Sequence, residues 1–188
     1  ATAHTEQDED TSSATMEFFR AYAPWLPPDL ARTLAMSCLD LLQHASSESA
    51  CDAALAALGA LACRLPCDAR DDLATTCLEL ARQGDEHVAE AMFQAIANLG
   101  SALSPGGAAR VWEPCLQAVL EPTDEDVADV ARTALEVLSS RLDAEAAANF
   151  AQACLRTVLA PSVLLGELRA LLAVLREIPV GAYAARSG

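Results

Sequence analysis

The sequence contains no lysine and only a few aromatic residues, which make up 4% of the chain. All twelve of its cationic side chains are arginines, against 27 acidic residues, so the formal net charge is −15. A protein that binds a phosphate backbone needs clustered positive charge, and an anionic membrane surface would repel this chain. The composition therefore predicts that neither nucleic acid nor a membrane surface is a partner.

The missing lysine has two explanations. One is the codon bias of a GC-rich gene, which favours arginine. The other is selection against ubiquitination, as in bacterial effectors that act inside host cells. The sequence alone leaves both open.

Long apolar runs and catalytic motifs are missing as well. No apolar run reaches the roughly 18 residues of a membrane span, and no charged-then-apolar leader opens the chain. There is no nucleophile elbow, phosphate-binding glycine loop or paired-carboxylate motif. The Gly106-Gly107 pair after Ser104-Pro105 could hold an anion at a helix N-terminus, but a turn between repeats is the favoured interpretation. We expect no enzyme activity, no cofactor and no membrane insertion.

Seven cysteines are present, but they lack metal-ligand spacing. A zinc site needs tight pairs that return in a second tight pair, or histidines at ligand spacing. Four of the cysteines recur instead at one position on an apolar stripe, where a small residue becomes buried. We expect these four to be core residues without a metal. Because the count is odd, we also expect a reducing, cytoplasmic compartment.

A period of about 39 residues organises the chain. Cys-Leu pairs mark it at Cys38, Cys77, Cys115 and Cys154. Four residues before each stands a large apolar residue: Leu34, Leu73, Val111 and Phe150. After each pair come a short turn and a second amphipathic segment, at about 49–64, 86–103, 125–141 and 163–178.

The third of these segments shows why they are helices. Its apolar residues are separated by one or three positions and form one stripe, because side chains three and four apart share a helix face. The stripe consists of Val127, Val130, Ala131, Ala134, Leu135 and Leu138. Thr123 precedes the acidic first turn and is the predicted N-cap.

This pattern predicts an all-α protein, a right-handed α-solenoid of about four antiparallel helix pairs. Residues 1–14 form a flexible acidic segment, and residues 15–26 form a short helix in which Trp25 caps the first pair. The four helix pairs are expected at 27–65, 66–103, 104–142 and 143–179, and a flexible end at 180–188. Trp112 is expected at a seam between two pairs.

The second segments of the second and third pairs are similar to the B helices of HEAT repeats. The family pattern has an Asp in the turn, a Val, a small residue, an Ala-Leu pair and a Leu. The matching residues are Asp85 or Asp126, Val88 or Val127, Ala95-Ile96 or Ala134-Leu135, and Leu99 or Leu138. The Arg that usually follows the Val is replaced by Ala89 and Ala128.

The resemblance covers about residues 28–178 and implies a non-catalytic scaffold for protein–protein interaction. It also implies a segment of a larger scaffold, or a nuclear transport receptor of the importin-β type that shuttles between cytoplasm and nucleus. Such receptors hold basic cargo or a small GTPase on acidic inner helices. The alternatives are a bacterial effector adaptor in a host cell and a regulatory subunit of an enzyme complex. The wide apolar arc of 163–178 predicts neighbouring repeats of a longer parent chain, or pairing of this end with another molecule.

The predicted partner-binding surface lies on the second helices of pairs two and three. Its residues are Glu86, Glu90, Phe93, Gln94, Glu125, Asp129, Arg132 and Glu136. The carboxylates should form an acidic row that binds a basic protein segment, with an affinity that falls as salt rises. Phe93 falls toward the polar side of its helix, and contact with the neighbouring repeat is the favoured explanation. The competing interpretation of the row is a solvated face without a partner.

Overall fold

The computed structural model describes residues 18, 21–44, 48–121 and 124–158. Within these ranges the chain has seven α-helices, a 3-10 turn at Ala23–Trp25 and no strand. The helices are α1 (Pro28–His44), α2 (Glu48–Ala62), α3 (Cys67–Gln83), α4 (Glu86–Gly100), α5 (Pro105–Leu120), α6 (Glu125–Ser139) and α7 (Ala144–Val158). The segments predicted at 1–14, 163–178 and 180–188 lie outside the described residues.

The helices form two layers. Within each pair, α1 packs on α2, α3 on α4 and α5 on α6. The second helices also contact one another in the order α2, α4, α6, and the first helices in the order α1, α3, α5, α7. This arrangement confirms the all-α, repeat-like architecture that the period predicted.

Two of the second helices, α4 and α6, begin at aspartate caps. Asp85 accepts a hydrogen bond from the Val88 N–H at 3.0 Å, and Asp124 accepts one from the Asp126 N–H at 2.8 Å. The cap of α6 is therefore Asp124. Thr123, the predicted cap, lies outside the described residues. Asp126 was also the wrong match for the turn aspartate of the HEAT pattern, because Asp124 stands at the position of Asp85.

Two arginines sit at matching positions after second helices. Arg64 donates through Nε and Nη2 to the Leu26 carbonyl at 3.3 and 3.2 Å. Arg141 donates in the same way to the Leu103 carbonyl at 3.2 and 3.0 Å. Each acceptor lies two residues before the first helix of the same pair. Because Leu103 also follows the end of α4, Arg141 joins the second and third pairs.

The core confirms the apolar stripe of α6, of which all but the half-buried Val130 is buried. Trp112 confirms its predicted seam position, since its ring lies 5.3 Å from that of Phe150 on α7, edge to face. Trp25, by contrast, does not cap the first pair. Its side chain is 83% exposed, and the small Ala23 is buried in that turn instead.

The aligned cysteines are core residues, as predicted, with one exception. Cys77, Cys115 and Cys154 are buried, whereas Cys38 is half-buried. Burial raises the pKa of each of the three buried thiols to about 12 and that of Cys38 to about 11. Two cysteines outside the series, Cys63 and Cys67, are exposed.

Thiol labelling of the native protein should therefore be biphasic. We expect a disulfide reagent to react quickly with Cys63 and Cys67, and with the three buried cysteines only after denaturation. The reason is that the thiolate is the reactive form, and burial both blocks access and disfavours it. The reagent releases a chromophore for each thiol that it modifies. Its absorbance before and after denaturation therefore counts the fast-reacting and the buried thiols. A Cys63→Ser/Cys67→Ser variant should lose the fast phase, and rapid labelling of all seven thiols would contradict the buried positions.

Candidate functional site

The second-helix layer carries carboxylates at matching positions. Each of its helices has one acidic residue at its first position and another four residues later. These residues are Glu48 and Asp52 of α2, Glu86 and Glu90 of α4, and Glu125 and Asp129 of α6. We call these six residues the acidic row. Because α2, α4 and α6 lie side by side, the row runs across the layer from helix to helix.

The acidic row is open to solvent. Glu90 is half-buried and the other five members are exposed. Burial is the main cause that raises the pKa of the Cys51 thiol on α2, and the carboxylates of Asp52, Glu90 and Glu48 raise it further. Because Glu90 lies on α4 and Cys51 on α2, the carboxylate of one helix acts on a thiol of the neighbouring helix.

Sequence reasoning missed the first third of this row, Glu48 and Asp52. The residues that carry the HEAT resemblance lie on the second helices of pairs two and three, so the resemblance gave no signal for the first pair. The repeat period itself was the available signal, since it relates Glu48 to Glu86 and Asp52 to Glu90.

One arginine stands among the carboxylates of these three helices. Arg132 of α6 bonds Asp129, with 3.0 Å between Nη2 and Oδ1. Glu136 is exposed on the same helix, but the matching residue of α4 is the buried Ala97. Glu136 therefore has no acidic counterpart on α4, and it does not extend the row across the layer.

Phe93 and Gln94 have structural contacts. Phe93 is only 6% exposed and lies between the second and third pairs, which confirms the expected contact with the neighbouring repeat. Gln94 donates to Asn98 at 3.3 Å, and Asn98 in turn donates to the Leu55 carbonyl of α2 at 3.3 Å. This hydrogen-bond chain ties α4 to α2.

Phe93 also lines an open groove of about 380 Å³ between the second and third pairs. The rest of the lining is Leu78, Ala81, Arg82, Ala89, Pro114, Gln117, Ala118, Glu121 and Val127. The groove exists partly because α3 has the small Ala81 at the repeat position that holds Leu42 in α1 and Val119 in α5. The groove could take one apolar side chain, next to the first turns of α4 and α6 that carry the acidic row.

The N-terminus of α5 already holds an anion from within the chain. The buried carboxylate of Asp71 accepts hydrogen bonds from the Ser104 N–H at 3.1 Å and from the Ser104 hydroxyl at 2.5 Å. Arg110 approaches the same carboxylate at 3.4 Å. Ser104 caps the helix by accepting from the Gly107 N–H at 2.9 Å. The Gly106-Gly107 segment is therefore a turn fixed by an internal carboxylate.

The described part of the chain holds neither a cluster of metal ligands nor a membrane-spanning helix. No three His, Cys, Asp or Glu side chains come together there as metal ligands. None of the helices described is both long enough and apolar enough to cross a bilayer.

Comparison with known proteins places the chain near two engineered proteins of known structure. The first is 20% identical, has a TM-score of 0.49, and the match covers 95% of this chain and 78% of that one. The second is 19% identical, has a TM-score of 0.47, and the match covers 95% of this chain and 47% of that one. No family model and no curated protein matches the sequence. Likeness at this level carries no argument about function.

Proposed function

We propose that this chain is a non-catalytic protein-interaction scaffold that holds a basic protein segment along the acidic row. One observation carries the proposal: the same pair of carboxylates recurs in three adjacent helices, with a single arginine among them. The helix dipole already favours the acid at the first position of each helix, whereas the second acid, four residues later, lies beyond the first turn and has no such reason to recur.

The electrostatics favour a bound counter-charge. Packed helices lie about 8–10 Å apart, which is close to the screening length of about 8 Å at physiological ionic strength. Carboxylates on neighbouring helices therefore still repel one another, and within α2, α4 and α6 only Arg132 compensates them. A basic segment that crosses the layer would relieve this repulsion.

The spacing of the row also defines the segment. An extended segment in the polyproline II conformation has three residues per turn and rises about 3.1 Å per residue, so side chains three apart lie on one face at about one helix spacing. We infer that the preferred ligand is extended, with Arg or Lys at every third residue. An apolar residue between two of these could enter the groove above Phe93.

The wider architecture belongs to the same proposal. We infer that the described helices belong to a right-handed solenoid of HEAT-like pairs. Such solenoids bind partners along extended surfaces, because each repeat adds one more element to a continuous layer.

Charge reversal on the row tests the proposal. The Glu90→Arg/Asp129→Arg double variant should bind a labelled peptide with arginine at every third residue about tenfold or more weakly, because two attractions become repulsions. Its stability should change by about 1 kcal/mol or less per site, since Asp129 is exposed with a surface ion pair and Glu90 is only half-buried. Fluorescence anisotropy at low and at physiological salt measures the affinity, which should fall as salt rises.

The matched control is Glu79→Arg/Glu113→Arg. It makes the same charge change at exposed residues of the first-helix layer. We expect this control to bind nearly as the parent does. Equal loss in both double variants would mean that net charge alone attracts the peptide. Unchanged binding by the Glu90/Asp129 variant would mean that the peptide does not bind at the acidic row. Equal affinity for a peptide with its arginines in one block would contradict the preference for a basic residue at every third position.

A further inference from the structure

The groove between the second and third pairs is lined by two small residues that distinguish this seam from the one before it. Ala81 of α3 and Ala118 of α5 both line the groove. At the same two repeat positions, the seam between the first and second pairs has Leu42 of α1 and Leu80 of α3. Leu42 is buried, and Leu80 packs against the core. The groove therefore occupies space that two leucine side chains take up one repeat earlier.

The groove and the acidic row share one face of α4. Ala89 and Phe93 line the groove and follow Glu86 by three and seven positions, and Glu90 follows Glu86 by four. Residues at these separations lie on the same side of a helix. A segment held by the two carboxylates of α4 therefore passes beside the groove.

The lining of the groove favours an aromatic side chain over a basic one. Only Arg82 and Glu121 of the lining residues carry a charge, and neither belongs to any ion pair among the described residues. The exposed Arg82 guanidinium repels a basic side chain but can stack on an aromatic ring. Phe93 offers a second aromatic contact.

The size of the groove fits one large side chain. Its volume of about 380 Å³ lies at the small end of the range of about 300–1,000 Å³ for ligand pockets. The space is open to solvent on one side, so a side chain can enter from a segment that lies on the surface. A tryptophan or phenylalanine fills such a space better than leucine does, because its ring is larger.

We propose that the groove binds one aromatic side chain of the basic segment that the acidic row holds. This inference rests on the proposed function and adds an uncharged residue between two basic ones in the ligand. Aromatic residues seated in pockets carry a large share of binding energy, whereas exposed ion pairs carry little. The groove would therefore decide which basic segments bind tightly.

Fluorescence anisotropy with two labelled peptides tests this inference. Both peptides have arginine at every third residue, and they differ at one position between two arginines, which holds tryptophan or alanine. The parent should bind the tryptophan peptide about tenfold or more tightly than the alanine peptide, because a seated aromatic residue dominates the contact. The affinity of each peptide should fall as salt rises, but their ratio should not, because the aromatic residue is uncharged.

Filling the groove should remove this preference. Ala81→Leu introduces the residue that α1 has at this position, and it should bring the affinities of the two peptides close together without weakening the alanine peptide. Ala118→Leu fills the same groove from α5 and should act alike, so the result does not depend on the folding of one variant. The matched control is Ala144→Leu, which adds the same side chain at an exposed residue outside the groove lining. It should keep the preference.

The acidic row and the groove fail in different ways. If the parent binds both peptides equally and Glu90→Arg/Asp129→Arg weakens both, the row stands and the groove inference is wrong. A tryptophan preference that persists in both Ala81→Leu and Ala118→Leu would also overturn it. If the charge reversal changes neither affinity, the row is refuted, and with it the assignment of the groove to a basic segment.

Discussion

Replacing Gly107 by valine should lower the free energy of unfolding by about 3 kcal/mol or more, combining overpacking with the loss of a buried polar contact. A Cβ at this position would coincide with the carboxylate of Asp71. That carboxylate cannot simply move away, because Ser104 holds it with two hydrogen bonds and Arg110 pairs with it. The substitution therefore forces α3 and α5 apart at the seam between pairs two and three.

Urea unfolding compares this variant with Gly106→Ala, its matched control. The nearest atom to a Cβ on Gly106 is the Ser104 Oγ at 3.8 Å, so alanine fits there. We expect its stability to change by about 0.5 kcal/mol or less, or to rise slightly through helix propensity. A double-mutant cycle with Asp71→Ala should show that the two changes are not additive, since both act on one contact. Equal tolerance of both glycine substitutions would contradict the described seam.

The second large effect is expected at Phe150. Phe150→Ala should cost about 3–5 kcal/mol, the range for removing a fully buried phenylalanine. The side chain is completely buried and its ring packs edge to face on Trp112, so alanine leaves a cavity between α5 and α7. Thermal or urea unfolding, followed by circular dichroism, measures the loss.

Two further variants locate the cause of that loss. Phe150→Leu should cost clearly less, because it keeps most of the apolar volume. Leu155→Ala removes a large apolar side chain from the same helix, but Leu155 is 50% exposed, so it should cost much less than Phe150→Ala. If Leu155→Ala and Phe150→Ala were equally destabilising, the seam at Trp112 would not be the main contact of α7.

The sequence alone determined the helices and their repetition. The stripe from Val127 to Leu138 has a helical period, and the recurring Cys-Leu pairs place a first and a second helix in each of the three pairs that the structure describes. Both signals are local: they depend on which residues share a helix face, and a helix face is fixed by backbone geometry. For the same reason the burial of Cys77 and Cys115 followed from the period.

Contacts between residues about a full repeat apart became known only from the tertiary structure. Asp71 reaches the N-terminus of α5 and Arg141 reaches the Leu103 carbonyl, and the sequence around each of these residues gives no sign of its partner. Trp25 was expected to cover the first pair, yet it is 83% exposed, and the small Ala23 of the same turn is buried instead. Phe93 has polar neighbours on its own helix and is nevertheless buried, because the third pair covers it. Contacts of this kind are set by how the helices pack, which the periodicity of a single helix does not specify.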